Sequence, residues 1–152
     1  VRRGRACLRT RRELTDPDGN RVLLVPAGEE GVTGIAIELA VNSLSDHDRF
    51  WRETMQFPST GHGAYMCGDT RIMIAGESRV NRHDDWRALG WRYTTVQVHD
   101  CLAEHVGVLE RGGEEGQAPR EHGQQVRFSF VRDPDGNFIA LSERVTLTGK
   151  AI

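Results

Sequence analysis

Apolar and polar residues alternate over several short runs of the chain, which is the pattern of strands buried on one face. Ile35 to Val41 and Tyr93 to Val98 are both rich in β-branched residues and are predicted to be strands. Further strands are predicted over Ala64 to Cys67, Arg71 to Ala75, Val126 to Arg132 and Phe138 to Glu143. The last two runs are predicted to form a hairpin.

Two segments between these strands carry apolar residues at helical spacing. Ser45 is predicted to cap the first helix and Pro58 to end it. The buried stripe of this helix is predicted to comprise Phe50, Trp51, Thr54 and Met55. Asp100 is predicted to cap the second helix. Its buried face is predicted to comprise Leu102, His105, Val106 and Leu109, so His105 is expected to be a core histidine with its hydrogen bonds satisfied.

From Gly34 to Arg144 the predicted order is strand, helix and strands, twice over, with a charged loop from Ser78 to Arg87 between the halves. This order predicts an α+β fold built from paired modules. A second repetition is exact: Asp-Pro-Asp-Gly-Asn occurs at 16–20 and again at 133–137, each time between strand-like runs. Because proline fixes φ at the second position of a tight turn and glycine accepts the left-handed conformation two residues later, both copies are predicted to be hairpin turns. The first hairpin is predicted to join Leu8 to Thr15 with Arg21 to Pro26.

Composition excludes several classes of function. The chain has 152 residues, of which 38% are hydrophobic and 28% charged, as in a globular protein. The net charge of −2 leaves no basic surface that would indicate a nucleic-acid partner. No apolar run is long enough to predict a membrane span or a signal peptide, so a cytoplasmic location is expected. Three widely spaced cysteines without a Cys-x-x-Cys pair are expected to be reduced thiols.

Three segments carry a resemblance to a known family: Ala36 to Val41, Tyr93 to Val98, and Phe130 to Leu141 with its Asp-Pro-Asp-Gly-Asn turn. The chain resembles the vicinal-oxygen-chelate superfamily, which includes glyoxalases, bleomycin-resistance proteins and extradiol dioxygenases. The resemblance implies paired β-α-β-β-β modules that form a cup-shaped mixed sheet with helices outside. It places this domain at 28–152. Residues 1–27 are then either the closing hairpin of a preceding similar module or an N-terminal extension.

The resemblance also implies four metal-ligand positions, two on the opening strands and two on the closing strands. This sequence has Ala36, Met73, Tyr93 and Ala140 there. Because three of the four side chains have no nitrogen or oxygen donor, no metal cofactor is expected, and a divalent metal held elsewhere is the alternative. The resemblance further implies a homodimer or a tandem pseudo-dimer.

Alternation along the strands nominates a different set of side chains for the cup. The candidate ligand-binding residues are Glu38, Arg71, Tyr93, Gln97 and Ser142. Two alternatives to a role in binding are open. Glu38 and Arg71 could form a buried ion pair, and Tyr93 and Gln97 could be core residues with their hydrogen bonds satisfied. No catalytic residue can be assigned from spacing, although Glu38 could transfer a proton if it titrates within an apolar cup.

The sequence therefore favours a protein that binds a small organic molecule in a cup without the usual metal ligands. The alternative is a metal-dependent lyase, isomerase or ring-cleaving dioxygenase, with ligands at non-standard positions or in another domain. Candidate ligands for that alternative are His62, His99, His122 and Glu38. A third reading is a domain that only supports a catalytic partner.

Overall fold

The computed structural model describes residues 10–17, 19–76, 84–87 and 93–152. It has the predicted α+β fold, with two β-α-β-β-β modules. The N-terminal module comprises β3 (Ala36–Val41), α1 (Leu44–Arg49), β4 (Ser59–Gly61), β5 (Ala64–Cys67) and β6 (Thr70–Gly76). The C-terminal module comprises β7 (Tyr93–Gln97), α2 (Cys101–Glu110), β8 (Glu114–His122), β9 (Val126–Arg132) and β10 (Phe138–Arg144). A hairpin of β1 (Arg12–Thr15) and β2 (Arg21–Leu24) precedes them, and a short helix α3 (Val145–Thr148) follows.

Each module folds into a four-stranded mixed sheet, in the orders β3-β6-β5-β4 and β7-β10-β9-β8. The opening strand runs parallel to the closing strand of its own module, because the helix carries the chain back across the sheet. The edge strands β4 and β8 lie outside the predicted set. β4 has only three residues, and β8 is polar and mostly exposed, so neither carries an alternating apolar pattern.

One hydrophobic core joins the two modules on the helix side of their sheets. It includes Trp51, Tyr65 and Ile72 from the first module and Val131 and Leu141 from the second. The first helix continues beyond Arg49 into a π-helical turn over Phe50–Thr54. The predicted stripe of Phe50, Trp51, Thr54 and Met55 is buried, which confirms it.

The predicted buried face of α2 is wrong in part. His105 is buried as predicted, but Leu102 and Val106 are 47% and 52% exposed, and the stripe consists instead of Cys101, His105 and Val108. The physical reason lies at the start of the helix. The backbone N–H of Cys101 donates to a side-chain carboxylate oxygen of β10 at 3.0 Å, which turns Cys101 rather than its neighbour towards the sheet.

One of the two predicted helix caps is confirmed, and the other is wrong. Asp100 caps α2, because its Oδ1 accepts from the N–H of Ala103 at 2.9 Å. Ser43, rather than the predicted Ser45, caps α1, because its Oγ accepts from the N–H of Asp46 at 3.3 Å.

The repeated pentapeptide forms the same turn twice. In the second copy the Oδ1 of Asp133 accepts from the backbone N–H of Asn137 at 2.8 Å, and its Oδ2 accepts from the Asn137 amide at 2.9 Å. Asp16 and Asn20 form the same pair of bonds in the first copy, at 2.8 and 2.9 Å. The shared geometry confirms that the repeat specifies one local structure.

The two copies differ in their surroundings. Asp133 is only 5% exposed, and burial raises the pKa of its carboxyl group. The adjacent Asp135 reaches the other module, where its Oδ2 accepts from the N–H of Asn42 at 3.0 Å and lies 3.2 Å from Nε2 of the buried His47. The second turn therefore fixes the closing hairpin against the N-terminal module, whereas the first lies at the surface.

The β1–β2 hairpin pairs with no other strand of the described ranges. Its existence confirms the predicted hairpin, although the part before residue 10 lies outside the described residues. Leu14 and Val22 face each other across it and are 53% and 44% exposed. The assignment of 1–27 to a preceding module or an extension stays a prediction. None of the helices in the described ranges is long and apolar enough to cross a lipid bilayer.

The two turns give a matched stability test. Asp133→Ala removes a buried carboxylate that accepts from the partly buried N–H groups of Asp135 and Asn137, so it is expected to lower the free energy of unfolding by about 2–3 kcal/mol. Asp16→Ala removes the same bonds at the surface and is expected to cost less than about 1 kcal/mol. Urea unfolding followed by circular dichroism measures both. Equal losses in the two variants would contradict the role assigned to burial.

Candidate functional site

The face of the C-terminal sheet that points away from the helices lines a cavity of about 250 Å³. Every second side chain of β10 points to this face, in the order Phe138, Ala140, Ser142 and Arg144. The intervening residues Ile139 and Leu141 point into the shared core. The closing strand therefore supplies both the core and the cavity wall.

The register of the sheet determines which side chains meet in the cavity. Ala140 lies between Thr95 of β7 and Phe130 of β9, and this row forms the middle of the cavity. One row further, Ser142 lies beside Phe128. Because paired residues of adjacent strands share a face, these side chains are neighbours although they are distant in sequence.

An aromatic cluster forms the floor of the cavity. Phe130 is 2% exposed, and the rings of Tyr93, Phe128 and Phe138 meet it edge to face at centroid distances of 5.1, 5.9 and 5.6 Å. Trp86 stacks on Phe130 at 5.2 Å with an interplanar angle of 26°. Such a cluster presents both ring faces and ring edges to whatever enters the cavity.

Trp86 is held in place by a hydrogen bond as well as by stacking. Its Nε1 donates to Oε1 of Gln117 on β8 at 3.2 Å. The segment 84–87 is further attached to the sheet by Arg132, whose guanidinium lies 3.4 Å from Asp84. This part of the predicted charged loop therefore lies over the cavity floor.

Polar side chains surround the aromatic floor. Ser142 is buried, Thr95 is exposed in the middle row, and His122 and Arg144 are exposed at one end of the cavity. No described residue forms a hydrogen bond with the side chain of Ser142. Its hydroxyl group therefore remains available inside an otherwise apolar wall.

The structure separates the five predicted site residues. Tyr93 and Ser142 line the cavity. Gln97 pairs with Ser142 across the sheet but is exposed and lies outside the cavity lining. Glu38 and Arg71 belong to the N-terminal sheet, where the cross-strand partner of Arg71 is Ala36.

The alternative that Glu38 and Arg71 form a buried ion pair is wrong. The structure has no ion pair between them, because the parallel register places Met73 rather than Arg71 opposite Glu38. Nε of Arg71 is buried without a hydrogen-bond partner among the described residues. Glu38 is exposed, and its charge contributes, after that of Glu13, to raising the pKa of Arg21 on β2.

Several cavity residues were absent from the predicted site: Trp86, His122, Phe128, Phe130 and Arg144. The alternation of Phe128 and Phe130 along β9 was a usable signal, because it places both rings on one face. His122 could not be assigned to the site because its strand, β8, was not predicted. Arg144 was missed because β10 extends one residue beyond the predicted end at Glu143. No pattern in the charged segment singled out Trp86.

The cavity does not fit the metal site that the resemblance implied. Ala140 and Tyr93 line it among aromatic rings, and the lining contains one imidazole, that of His122, and no carboxylate. The other two implied positions, Ala36 and Met73, belong to the N-terminal sheet. Across the described ranges, no three His, Cys, Asp or Glu side chains are grouped closely enough to hold a metal ion. Of the alternative ligand candidates only His122 lines the cavity, while His62 lies in an exposed turn.

A second cluster has the composition of a catalytic triad but lies on the sealed side of the sheet. His105 is 2.9 Å from the carboxylate of Glu115 and 3.0 Å from the hydroxyl of Ser129, which contacts the thiol of Cys101 at 3.6 Å. Ser129 and Cys101 are fully buried, and burial raises the pKa of the thiol. The Glu115 side chain is 48% exposed, but Cys101, His105 and Ser129 are buried, so the cluster attaches α2 to the sheet. The prediction of a satisfied core histidine is confirmed.

Comparison with known proteins identifies the fold. Residues 35–141 match the family model of the Glyoxalase/Bleomycin resistance protein/Dioxygenase superfamily. The chain is similar to a glyoxalase/bleomycin resistance protein from Catenulispora acidiphila (21% identity, TM-score 0.56), with 72% of this chain and 96% of that chain covered. It is also similar to a glyoxalase-related enzyme from Fulvimarina pelagi (14% identity, TM-score 0.57), with 73% and 87% covered. No curated protein matches the chain.

Two buried serines on opposite faces of the same sheet allow the core face and the cavity face to be compared in a stability test. Ser129→Ala leaves the buried Nδ1 of His105 without a partner and is expected to lower the free energy of unfolding by about 1–3 kcal/mol. Ser142→Ala removes a hydroxyl group that has no such partner and is expected to change it by less than about 0.5 kcal/mol. Denaturant unfolding gives both values, and a larger loss in Ser142→Ala would contradict the assignment of the two faces.

Proposed function

Because the chain belongs to the glyoxalase/bleomycin resistance protein/dioxygenase superfamily, we propose that it binds a small, partly aromatic organic molecule in the cavity of its C-terminal sheet. The binding requires no metal ion, and the molecule is held rather than converted. The observation that carries this proposal is the aromatic floor around Phe130 beside the unengaged hydroxyl of Ser142.

The physical argument starts from the volume and lining of the cavity. About 250 Å³ is close to the lower end of the range for small-molecule sites, which suits one or two fused rings. A ring placed beside Phe128 and Phe130 would gain both burial of apolar surface and favourable aromatic contacts, each pair contributing about 0.5–1.5 kcal/mol beyond burial. The hydroxyl groups of Thr95 and Ser142 would then fix its orientation.

The donor chemistry supports binding without a metal. Ala140 presents a methyl group where the resemblance implies a carboxylate, and Phe130 fills the space beside it. A divalent ion would lose most of its hydration among these side chains without gaining ligands, which is strongly unfavourable. The cavity residues also include no nucleophile paired with a base, and this favours sequestration over turnover.

Blocking the cavity tests the proposal. Titration of the protein with 2-naphthoate and with 2-naphthamide, followed by saturation-transfer NMR, is expected to show saturable binding of at least one probe. Thr95→Trp fills the middle of the cavity from an exposed strand position and is expected to weaken that binding by more than about tenfold. Thr15→Trp adds the same ring to the first hairpin and serves as the control. Absence of binding by both probes, or equal affinities in the two variants, would contradict the proposal.

Chelation tests the independence from metal. Dialysis against EDTA is expected to leave the affinity for the naphthyl probes unchanged, because no cavity side chain depends on an ion for its position. The measurement is the same titration before and after dialysis. Loss of binding that is restored by zinc, manganese or iron would show that the metal-dependent alternative is correct.

A further inference from the structure

The cavity is electrically asymmetric along the strands. At one end the row through Phe138 contains Arg132, whose guanidinium lies 4.0 Å from the ring centroid of Phe138 and donates to the backbone oxygen of Gly136 at 2.7 Å. Arg132 also lies 3.8 Å from Glu114. Positive charge at this end is therefore already balanced and covered.

The opposite end carries positive charge that is not balanced. Arg144, Val126 and His122 are successive partners across β10, β9 and β8. Because strands lie about 4.8 Å apart, the guanidinium and imidazole groups arise from positions about 10 Å apart on one face. Among the described residues, none forms an ion pair with Arg144 or His122.

The neighbouring acidic side chains point to the other face. Glu121 and Glu143 flank His122 and Arg144 in sequence, but both are bound by Arg127, at 2.8 and 3.4 Å. Arg120 adds further positive charge on the cavity side, since its cross-strand partner is Phe128. The alternation of the two strands thus separates a paired charge network from an unpaired cationic end.

We propose that the cavity selects planar aromatic anions, and aromatic carboxylates in particular, with the ring beside Phe128 and Phe130 and the carboxylate at Arg144. This inference rests on the binding function proposed above and adds the class of ligand. A guanidinium matches a carboxylate with two parallel hydrogen bonds, which a neutral amide cannot reproduce. The adjacent aromatic floor holds the ring, Arg120 adds to the attraction, and the His122 imidazole lies at the same end of the cavity.

The distance between the aromatic floor and Arg144 is consistent with an aromatic carboxylate as the ligand. Phe130, Phe128 and Val126 follow one another on the cavity face of β9, two residues apart. Each step advances about 7 Å along the strand, so Val126 and its partner Arg144 lie about 13–14 Å from Phe130. A long arginine side chain can fold back over Phe128 and so reach a carboxylate attached directly to a ring.

Matched probes test the selection by charge. 2-Naphthoate and 2-naphthamide share the ring and the shape, and differ in charge. We expect the wild-type protein to bind naphthoate more tightly by on the order of tenfold. Arg144→Gln is expected to remove this preference by weakening naphthoate binding by on the order of tenfold, to the level of naphthamide. Arg49→Gln removes an equal charge from an exposed position of α1 and is expected to leave both affinities unchanged.

Salt dependence provides a second measurement that needs no variant. Raising the sodium chloride concentration is expected to weaken naphthoate binding and not naphthamide binding, since only the charged contact is screened. Equal or tighter binding of naphthamide, or an Arg144→Gln variant that loses both probes alike while remaining folded, would overturn the selection of anions and leave the binding function standing. Failure of both probes to bind would overturn the binding function itself.

Discussion

The structure depends on the fact that β10 is buried on both of its faces. Ile139 and Leu141 pack into the core beneath the helices, while Ala140 and Ser142 face the cavity, and all four are at most 4% exposed. A strand in this position cannot shift by one residue without exchanging its core side chains for its cavity side chains. The cavity is therefore as firmly specified as the core, because the same register produces both.

The turn that precedes β10 determines where this strand lies. Asp133 organises the turn internally, and Asp135 attaches it to the backbone of Asn42 and to His47 in the other module. The same pentapeptide at 16–20 forms the same bonds in an exposed hairpin, which pairs with no other strand of the described ranges. Local sequence thus specifies the shape of the turn, and the surrounding fold decides whether that shape fixes the position of a module.

The sequence predicted the fold more completely than the site. Alternation and the repeated turn were sufficient for the paired modules, because these signals are local. The site required cross-strand register, which is not local: His122 joins Arg144 only through β8, a polar edge strand with no apolar pattern. Glu38 and Arg71 were assigned to the cup from alternation alone, and the structure places them in the other sheet. The exposed Leu102 shows a similar error, since an amphipathic pattern gives a face but not its exact rotation.

In the proposed binding mode the ligand contacts the face of Ala140 and Phe128, whereas Leu141 and Val131 on the opposite face are buried in the core. Intermolecular nuclear Overhauser effects between 2-naphthoate and the protein test this claim most directly. The account predicts contacts from the naphthyl protons to the Ala140 methyl group and to the Phe128 ring, and none to the methyl groups of Leu141 or Val131. Contacts confined to Leu141 and Val131, or to the exposed hairpin of β1 and β2, would contradict it.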